Sequence, residues 1–505
     1  MRNRWVVLGV LSAALALVSL DNTIVNVALP RLQEDLGATT AQLQWVVDAY
    51  SVVFAGSLLL AGAMGDRFGR RRLLVIGLVI FIVASLTAAF AQDAFVLTLC
   101  RALMGLGGAC IMPSTLSILV QVFPSPHERA QAIGIWAAVA GVGVALGPIV
   151  GGLLLEHFTW HAIFWVNPPL ALLMLLATLA FVPESSDPAK PRLDVRGALL
   201  CGGGLIALVV TIIELPESGV DVVTASTAAL AVGLLVLFVW WEKRAPRPLL
   251  PMGLFGVPLF RAAVVTVGLV YFALMGAMFF LPQFLQLVQG LTPLESGIAM
   301  LPGAAGLLIA SLFSPRIAER IGTRSTVVLG LVVVTLGLTS FSSLSAASPY
   351  AVVGITFLIV GLGLGLTLPQ ATNGVLASVP SERAGMGSAV NDAMAELGGA
   401  FGVAILGATM SLTYRQNIEQ AITGAGDAAR SLPGSALDAA RESLAAASLA
   451  AQQLPPDVAT VFRSVAGDAF VQGMDWALFV GAAIAALGAV FAWISFPKRV
   501  DRVAE

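Results

Sequence analysis

Apolar runs of about twenty residues recur along the whole chain, separated by short segments that carry most of the charge. A run of that length, wound as a helix, matches the ~30 Å hydrocarbon core of a bilayer. The pattern predicts about fourteen spanning helices, near 6–29, 44–64, 73–91, 95–121, 130–154, 164–182, 196–214, 224–241, 259–287, 295–314, 325–344, 350–378, 385–410 and 472–496. The first run follows Arg2 and Arg4 and continues to Pro30 without a small-residue cleavage site, so it reads as a spanning helix and not as a signal peptide.

An even number of spans puts both termini on one side, and the basic residues choose which. Most of the 27 lysines and arginines fall in alternate loops, among them Arg67, Arg70, Arg71, Arg72, Arg129, Lys190, Arg192, Arg247, Arg316, Arg320, Arg324 and Arg383, together with the terminal Arg2, Arg4, Lys498, Arg499 and Arg502. Cytoplasmic loops collect such residues, so both termini are expected in the cytoplasm. The opposite side keeps Arg31, Arg415, Arg430, Arg441 and Arg463.

A repeat links the two halves. GDRFGRRR (65–72) sets Gly69 opposite Gly322 of AERIGTRS (318–325), and HERA (127–130) sets Arg129 opposite Arg383 of SERA (381–384) at nearly the same offset. Six helices, an extra pair, and six related helices satisfy both pairings. The expected domains are 1–185, a two-helix link at 186–250, and 251–505 with a polar, alanine-rich insertion at 412–470. Turn signals at Pro433-Gly434 and Pro455-Pro456 predict a helical hairpin there. Parallel halves of this kind place a substrate site between them near the midplane.

Composition narrows the function. Hydrophobic residues make up 58% and charged residues 11%, against roughly 25% charged in soluble domains, and mean hydropathy is +0.92. A net charge of −2 argues against nucleic acid as a partner. Cys100, Cys110 and Cys201 lie in apolar spans, unsuited to a disulfide framework or a zinc site. No nucleophile, base and metal-ligand set is clustered, which speaks against an enzyme.

Charges inside spans are the sharper signal, because an intramembrane ion costs at least ~2.5 kcal/mol and has to face a cavity or a partner. Asp392 and Glu396 are four apart, on one face of a helix, at roughly 12 and 18 Å from its start. Burial and mutual repulsion disfavour two anions there, so at least one is expected to hold a proton near neutral pH. A bound lipophilic cation reverses that balance, and competition of this kind gives antiport. Asn391 is a polar neighbour. Asp21 and Arg101 lie at comparable depth in spans 1 and 4, which permits a contact; Asp48, about a turn below the outer end of span 2, suits a solvated or gating role as well as a substrate contact. Tyr50, Phe54, Phe279, Gln283 and Phe284 are candidate pocket residues, since cations bind over aromatic faces.

Several segments carry a family resemblance. GAMGDRFGRRRLL (62–74) resembles the loop 2–3 signature of the major facilitator superfamily, with Met64 where leucine is usual; LTLCRALMGLGGA (97–109) resembles its helix 4 motif, with Met104 for glutamine. GVALGPIVGG (143–152) and LDNTIVNVALP (20–30) resemble motifs of its fourteen-helix drug:proton antiporter branch, and QWVVDAYSVVFAG (44–56) and FTWHAIFWVNPP (158–169) are most similar to bacterial quaternary-ammonium exporters. The resemblance implies an all-α membrane protein of two six-helix bundles plus two linking helices, in the bacterial inner membrane, monomeric, driven by the proton gradient and without a cofactor. It implies efflux of lipophilic cations by alternating access, or dedicated export of a single metabolite or antibiotic. It assigns proton transfer to Arg101. Asp66, Arg67 and Arg70 read as a cytoplasmic latch that stabilises the outward-open state, or as a basic loop that only sets topology. Gly143, Gly147, Gly151 and Gly152, with Pro148, read as a smooth seam that rocks between states.

Overall fold

The computed structural model describes residues 4–186, 194–246, 248, 250, 252–341, 344, 348–379, 384–425 and 432–497. Residues 381–383 of the SERA loop, Arg383 among them, and Arg2, Lys190, Arg192, Arg247, Arg430, Lys498, Arg499 and Arg502 lie outside the described residues.

All fourteen apolar runs coincide with helices. In chain order these are α1 (Arg4–Leu36), α2 (Thr40–Phe68), α3 (Arg70–Ala88), α4 (Ala94–Val122), α5 (Pro126–His157), a short α6 (Ala162–Trp165) leading into α7 (Asn167–Phe181), α8 (Val195–Ser218) and α9 (Val222–Glu242). There follow α10 (Pro258–Gln283), a short α11 (Pro293–Ala299) leading into α12 (Leu301–Ile321), α13 (Thr323–Phe341), α14 (Tyr350–Ala377), α15 (Ala384–Ala425), the small α16 (Gly434–Glu442) and α17 (Leu444–Ala451), and α18 (Pro456–Ser495). Among the described residues, 12 helices are long and apolar enough to cross a membrane, and α2, bent by 50° between Leu58 and Leu60, makes a thirteenth. The protein is a multi-pass membrane protein.

Local chemistry sets the helix boundaries. Thr39 caps α2 reciprocally with Gln42, Asp93 accepts from Val96 N–H at 2.8 Å at the start of α4, and Thr292 pairs with Glu295 at α11. The repeat is also visible in the backbone. Gly69 and Gly322 end α2 and α12 with φ of 117° and 89°, a region where a side chain is strained, and each N–H closes on the carbonyl four residues back.

The helices pack in two groups. α1 lies on α5 and α7, and α4 on α2 and α3; α14 lies on α12 and α13, and α15 on α10 and α18. α2 and α15 meet across the divide, and α8 packs against both of them. Gly56 and Gly202 make the α2–α8 approach possible, since a Cβ on Gly56 would lie 3.1 Å from the Gly202 Cα. Thus α8 lies across both groups, with α9 packed on it and showing mostly exposed apolar residues.

The 42 residues of α15 and the 40 of α18 run to about 60 Å, twice the span of a bilayer core. Their projecting ends carry the insertion. Tyr414 donates to the Ala440 carbonyl at 2.8 Å, Arg441 pairs with Glu419 at 2.7 Å, and α17 rests on α1. The expected hairpin is therefore a pair of short helices docked over the end of the bundle opposite the 65–72 loop.

The glycines of α5 divide their work differently from the expected seam. Gly143, Gly147 and Gly151 pack on α1 within their own group: a Cβ on Gly143 would meet the Ala16 carbonyl oxygen at 2.7 Å, and one on Gly151 the Ile24 side chain at 2.9 Å. Pro148 and Gly152 make the crossing contact instead. A Cβ on Gly152 would fall 2.7 Å from Leu294 Cα, and one on Gly297 would fall 2.9 Å from the Pro148 carbonyl carbon. Spacing four selects one helix face, and that face belongs to α1; Gly152 is one residue round from it, toward α11. Gln286 donating to the Val27 carbonyl at 3.0 Å and Gln44 to that of Val403 at 3.4 Å close the same end.

Gly152→Leu overpacks only the arrangement in which this end is closed, at about 1–3 kcal/mol, and is expected to raise maleimide labelling of a cysteine placed at Gln286 about tenfold. Unchanged labelling excludes Gly152 as a closure contact.

Candidate functional site

The polar centre is one layer of side chains deep between the two ends. Asp21 of α1 and Arg101 of α4 form an ion pair at 2.6 Å with neither side chain exposed. Arg101 also donates from Nε to the Val46 carbonyl at 3.1 Å and stacks 4.4 Å from the Tyr50 ring centre. Glycines allow this: Gly105 and Gly108 of α4 leave room where α2 brings in the Tyr50 backbone and the Tyr50 and Phe54 rings. The second Asp21 oxygen accepts from Asn167 of α7 at 2.7 Å, and Asn167 donates also to Ser85 of α3 at 3.1 Å. An unpaired charge in such surroundings costs several kcal/mol, so the partners are a condition of burial.

Glu396 of α15 enters the same layer from the other group. Asn22, next to Asp21, donates to it at 3.3 Å, and the Ser51 hydroxyl of α2 faces the same carboxylate. Close glycine packing of α15 on α10 sets this depth: a Cβ on Gly398 would strike the Gly268 backbone and one on Gly402 that of Phe272. Asp392 lies one turn toward the 65–72 end, with Asn391 donating to it at 3.1 Å. Tyr271 of α10 is within electrostatic reach of both carboxylates, and Glu396 within reach of Arg101. An intramembrane layer with two acidic centres, one bridged by a fixed cation and one held by neutral donors, is suited to exchanging a mobile cation for a proton.

The sequence profile of the Major Facilitator Superfamily matches residues 11–403. This chain belongs to that superfamily. It is 38% identical over 494 residues to the multidrug efflux pump LfrA of Mycolicibacterium smegmatis, covering 96% of each chain. It is 35% identical over 410 residues to the tetracenomycin C resistance and export protein of Streptomyces glaucescens, covering 81% of this chain and 76% of that one. To the methyl viologen resistance protein SmvA of Salmonella typhimurium it is 32% identical over 512 residues, covering 99% and 100%. Among solved structures, an inward-facing, unoccupied bacterial homologue of the human lysosomal transporter Spinster superposes with a TM-score of 0.69 at 18% identity, covering 99% of each chain. Membership places the chain among transporters, not enzymes.

The other candidate residues of this superfamily member sort by depth. Asp48 is completely buried instead of solvated near the end of α2, and neither carboxylate oxygen has a hydrogen-bond partner among the described residues. The packing of α8 and α15 on α2 explains the difference: Ala41, Val52, Leu205, Val209, Ala400 and Ala404 form one apolar cluster there. Phe279, Gln283 and Phe284 are not at the acidic layer. They lie toward the far end of α10, packed in the core, with Gln283 occupied by the Phe279 carbonyl at 2.7 Å. Their separation from Glu396 is about 20 Å along the helix axis.

At the opposite end Arg70 grips Asp66 with two N–H groups, at 2.7 and 2.9 Å, and reaches the Ser117 carbonyl at 3.4 Å. Arg67 lies 5.5 Å from the Phe68 ring centre. Glu184, after α7, accepts from the Arg71 backbone N–H at 3.1 Å and faces Arg72 at 3.7 Å. The facilitator loop signature is thus tied to its own helix group in this conformation.

Asn22, Ser51, Ser85 and Asn167 escape a search for charge, because neutral polar residues are cheap enough to be common in spans. Asp475 in α18, whose Oδ1 has no hydrogen-bond partner among the described residues, is legible in the sequence as a lone carboxylate in the last run. A groove of about 940 Å³ is lined by Arg31, Asp35, Trp160 and His161 at the surface, away from this chemistry. Among the described residues no three His, Cys, Asp or Glu side chains are grouped to hold a metal.

Proposed function

We propose that the protein is a proton-coupled multidrug antiporter that exports lipophilic, mainly cationic compounds by alternating access. The observation that carries this reading is Glu396, a buried carboxylate held by Asn22 and Ser51 and set within reach of the Asp21–Arg101 pair. A carboxylate without a fixed counter-ion at that depth takes either a proton or a bound cation, and not both. A lipophilic cation entering from the 65–72 end displaces the proton from Glu396 and Asp392; after the bundles rock, a proton from the other side displaces the cation. Tyr271 and Tyr50 offer aromatic faces beside the carboxylates. Resistance and efflux relatives at 32–38% identity support the substrate class.

The same proposal includes residues 1–185 and 251–505 as the moving bundles, 186–250 as the two-helix link, both termini in the cytoplasm of a bacterial inner membrane, and a working monomer. Asp66, Arg67 and Arg70 act as the cytoplasmic latch, Asp48 and Asn391 as cation contacts, and Phe279, Gln283 and Phe284 as part of the exit path. Energy comes from the proton gradient, with no cofactor.

Inside-out vesicles energised with a pH gradient test this directly. Addition of a lipophilic cation is expected to release protons from wild-type vesicles and not from Asp392→Asn. Equal release from both refutes the carboxylate assignment. No release with any of several unrelated cations refutes the multidrug reading and favours export of one compound, as the printed name of the Streptomyces relative has it for that protein.

A further inference from the structure

We propose that Asn167 is a positioning residue which decides which oxygen of Asp21 receives a proton, and that Ser85 holds Asn167 in the orientation required. The inference rests on the proton-coupled reading above and deepens it.

Its basis is a hydrogen-bond chain whose direction is fixed at every link. The Ser85 hydroxyl donates to the Phe164 carbonyl at 2.9 Å, so only its lone pairs are left for Asn167. The Asn167 amide nitrogen therefore faces Ser85 at 3.1 Å, and the same nitrogen donates to Asp21 Oδ1 at 2.7 Å. A turned amide would set its oxygen against the carboxylate. All three side chains are fully buried. Asn167 is also the first residue of α7, directly after the turn from α6, so its backbone is held by the packed Ile163 and Phe164.

Asp21 thus accepts from two unequal donors. Asn167, neutral and tied to Ser85, donates to Oδ1 at 2.7 Å; Arg101, a cation, donates from Nη1 to Oδ2 at 2.6 Å, and its Nη2 has no hydrogen-bond partner among the described residues. A carboxylic acid keeps one oxygen as an acceptor and turns the other into O–H. The Asn167 link keeps its full strength when the proton is added at Oδ2; there the new O–H is a donor and meets only donors on the Arg101 guanidinium, so it is the ion pair that is lost. One proton is gained, no covalent bond is broken, and the guanidinium keeps its charge. Released from Asp21, it has Glu396 as the other carboxylate in its field. Among the described residues, the charged and titratable groups that face the Asp21–Arg101 pair are Tyr50 from α2 and Glu396 from α15; α3 and α7 contribute the neutral Ser85 and Asn167, and α5 its glycines. Proton uptake at one group of helices in this way leaves the Arg101 charge, still held by Val46 and Tyr50, uncompensated in the field of Glu396 from the other.

The test is the pH profile of ethidium-driven proton release from inside-out vesicles, for wild type, Asn167→Leu and Ser85→Ala. A donor to a carboxylate favours its anion, so without it the proton is retained to higher pH. The half-maximal pH is expected to move up by about one unit in Asn167→Leu and by less, in the same direction, in Ser85→Ala, with the ethidium KM unchanged. A purely structural role lowers the rate without moving the profile. Profiles that coincide with wild type overturn the proposal; where Asn167→Leu fails to reach the membrane, Ser85→Ala decides by the same criterion. Wild-type vesicles that move no protons refute the antiport reading itself, a result separate from coincident profiles.

Discussion

Glu396→Gln is expected to abolish cation-driven proton release while leaving the protein folded and in the membrane. The amide keeps the shape of the side chain and can hydrogen-bond Ser51 and Asn22, but it neither takes up a proton nor neutralises a bound cation. Loss of a single charge contact worth about 1.4 kcal/mol weakens cation binding tenfold, and loss of the protonatable group removes coupling altogether. Binding of a fluorescent lipophilic cation and proton flux, measured on the same vesicles, separate the two effects. Coupled flux within twofold of wild type would sink the assignment of Glu396 and turn attention to Asp392 and Asp48.

Arg101→Ala carries the second large effect, this time on stability. It leaves Asp21 buried with only Asn167 beside it, and removing one member of a buried pair costs about 3–5 kcal/mol. A marked fall in thermal midpoint, read by the monodisperse fraction in detergent after heating, is the expected result. Arg101→Lys keeps the charge but forfeits the Nε contact to Val46 and the planar stack on Tyr50, so it is expected to fall between. The double variant Asp21→Asn with Arg101→Ala removes the stranded charge and is expected to recover most of the midpoint without recovering proton coupling. A double variant as unstable as Arg101→Ala alone would mean that Arg101 acts through packing and not through Asp21.

These two predictions concern opposite sides of one layer. Asn22 and Asp21 are adjacent on α1, yet one reaches Glu396 and the other Arg101. A helix turns by about 100° per residue, so neighbours in sequence address different helices. Here α1 stands between the two acidic centres and contacts both. α8 packs on α2 and α15, the helices that carry Ser51 and Glu396, so under the proposed alternating access any motion between the groups is expected to slide along the Gly56–Gly202 contact or carry α8 with it.

The spans were legible because bilayer thickness fixes helix length, and Gly69 and Gly322 were legible as equivalent because two pairs of loops share nearly one offset; their positive φ then gives the pairing its backbone reason. The intramembrane charges Asp21, Arg101, Asp392 and Glu396 were equally open to sequence, since their cost in lipid marks them whatever the fold. Tertiary structure alone decided who faces whom. It placed Asp48 in a closed environment, moved Phe279 and Phe284 far from the acidic layer, gave the α5 stripe to α1 and the crossing contact to Pro148 and Gly152, and recruited Asn22, Ser51, Ser85 and Asn167. Lipid imposes a penalty on each residue singly, so that information is written locally in the chain. Rotation of one helix against the next depends on close glycine contacts from distant segments, and no single stretch of sequence contains it.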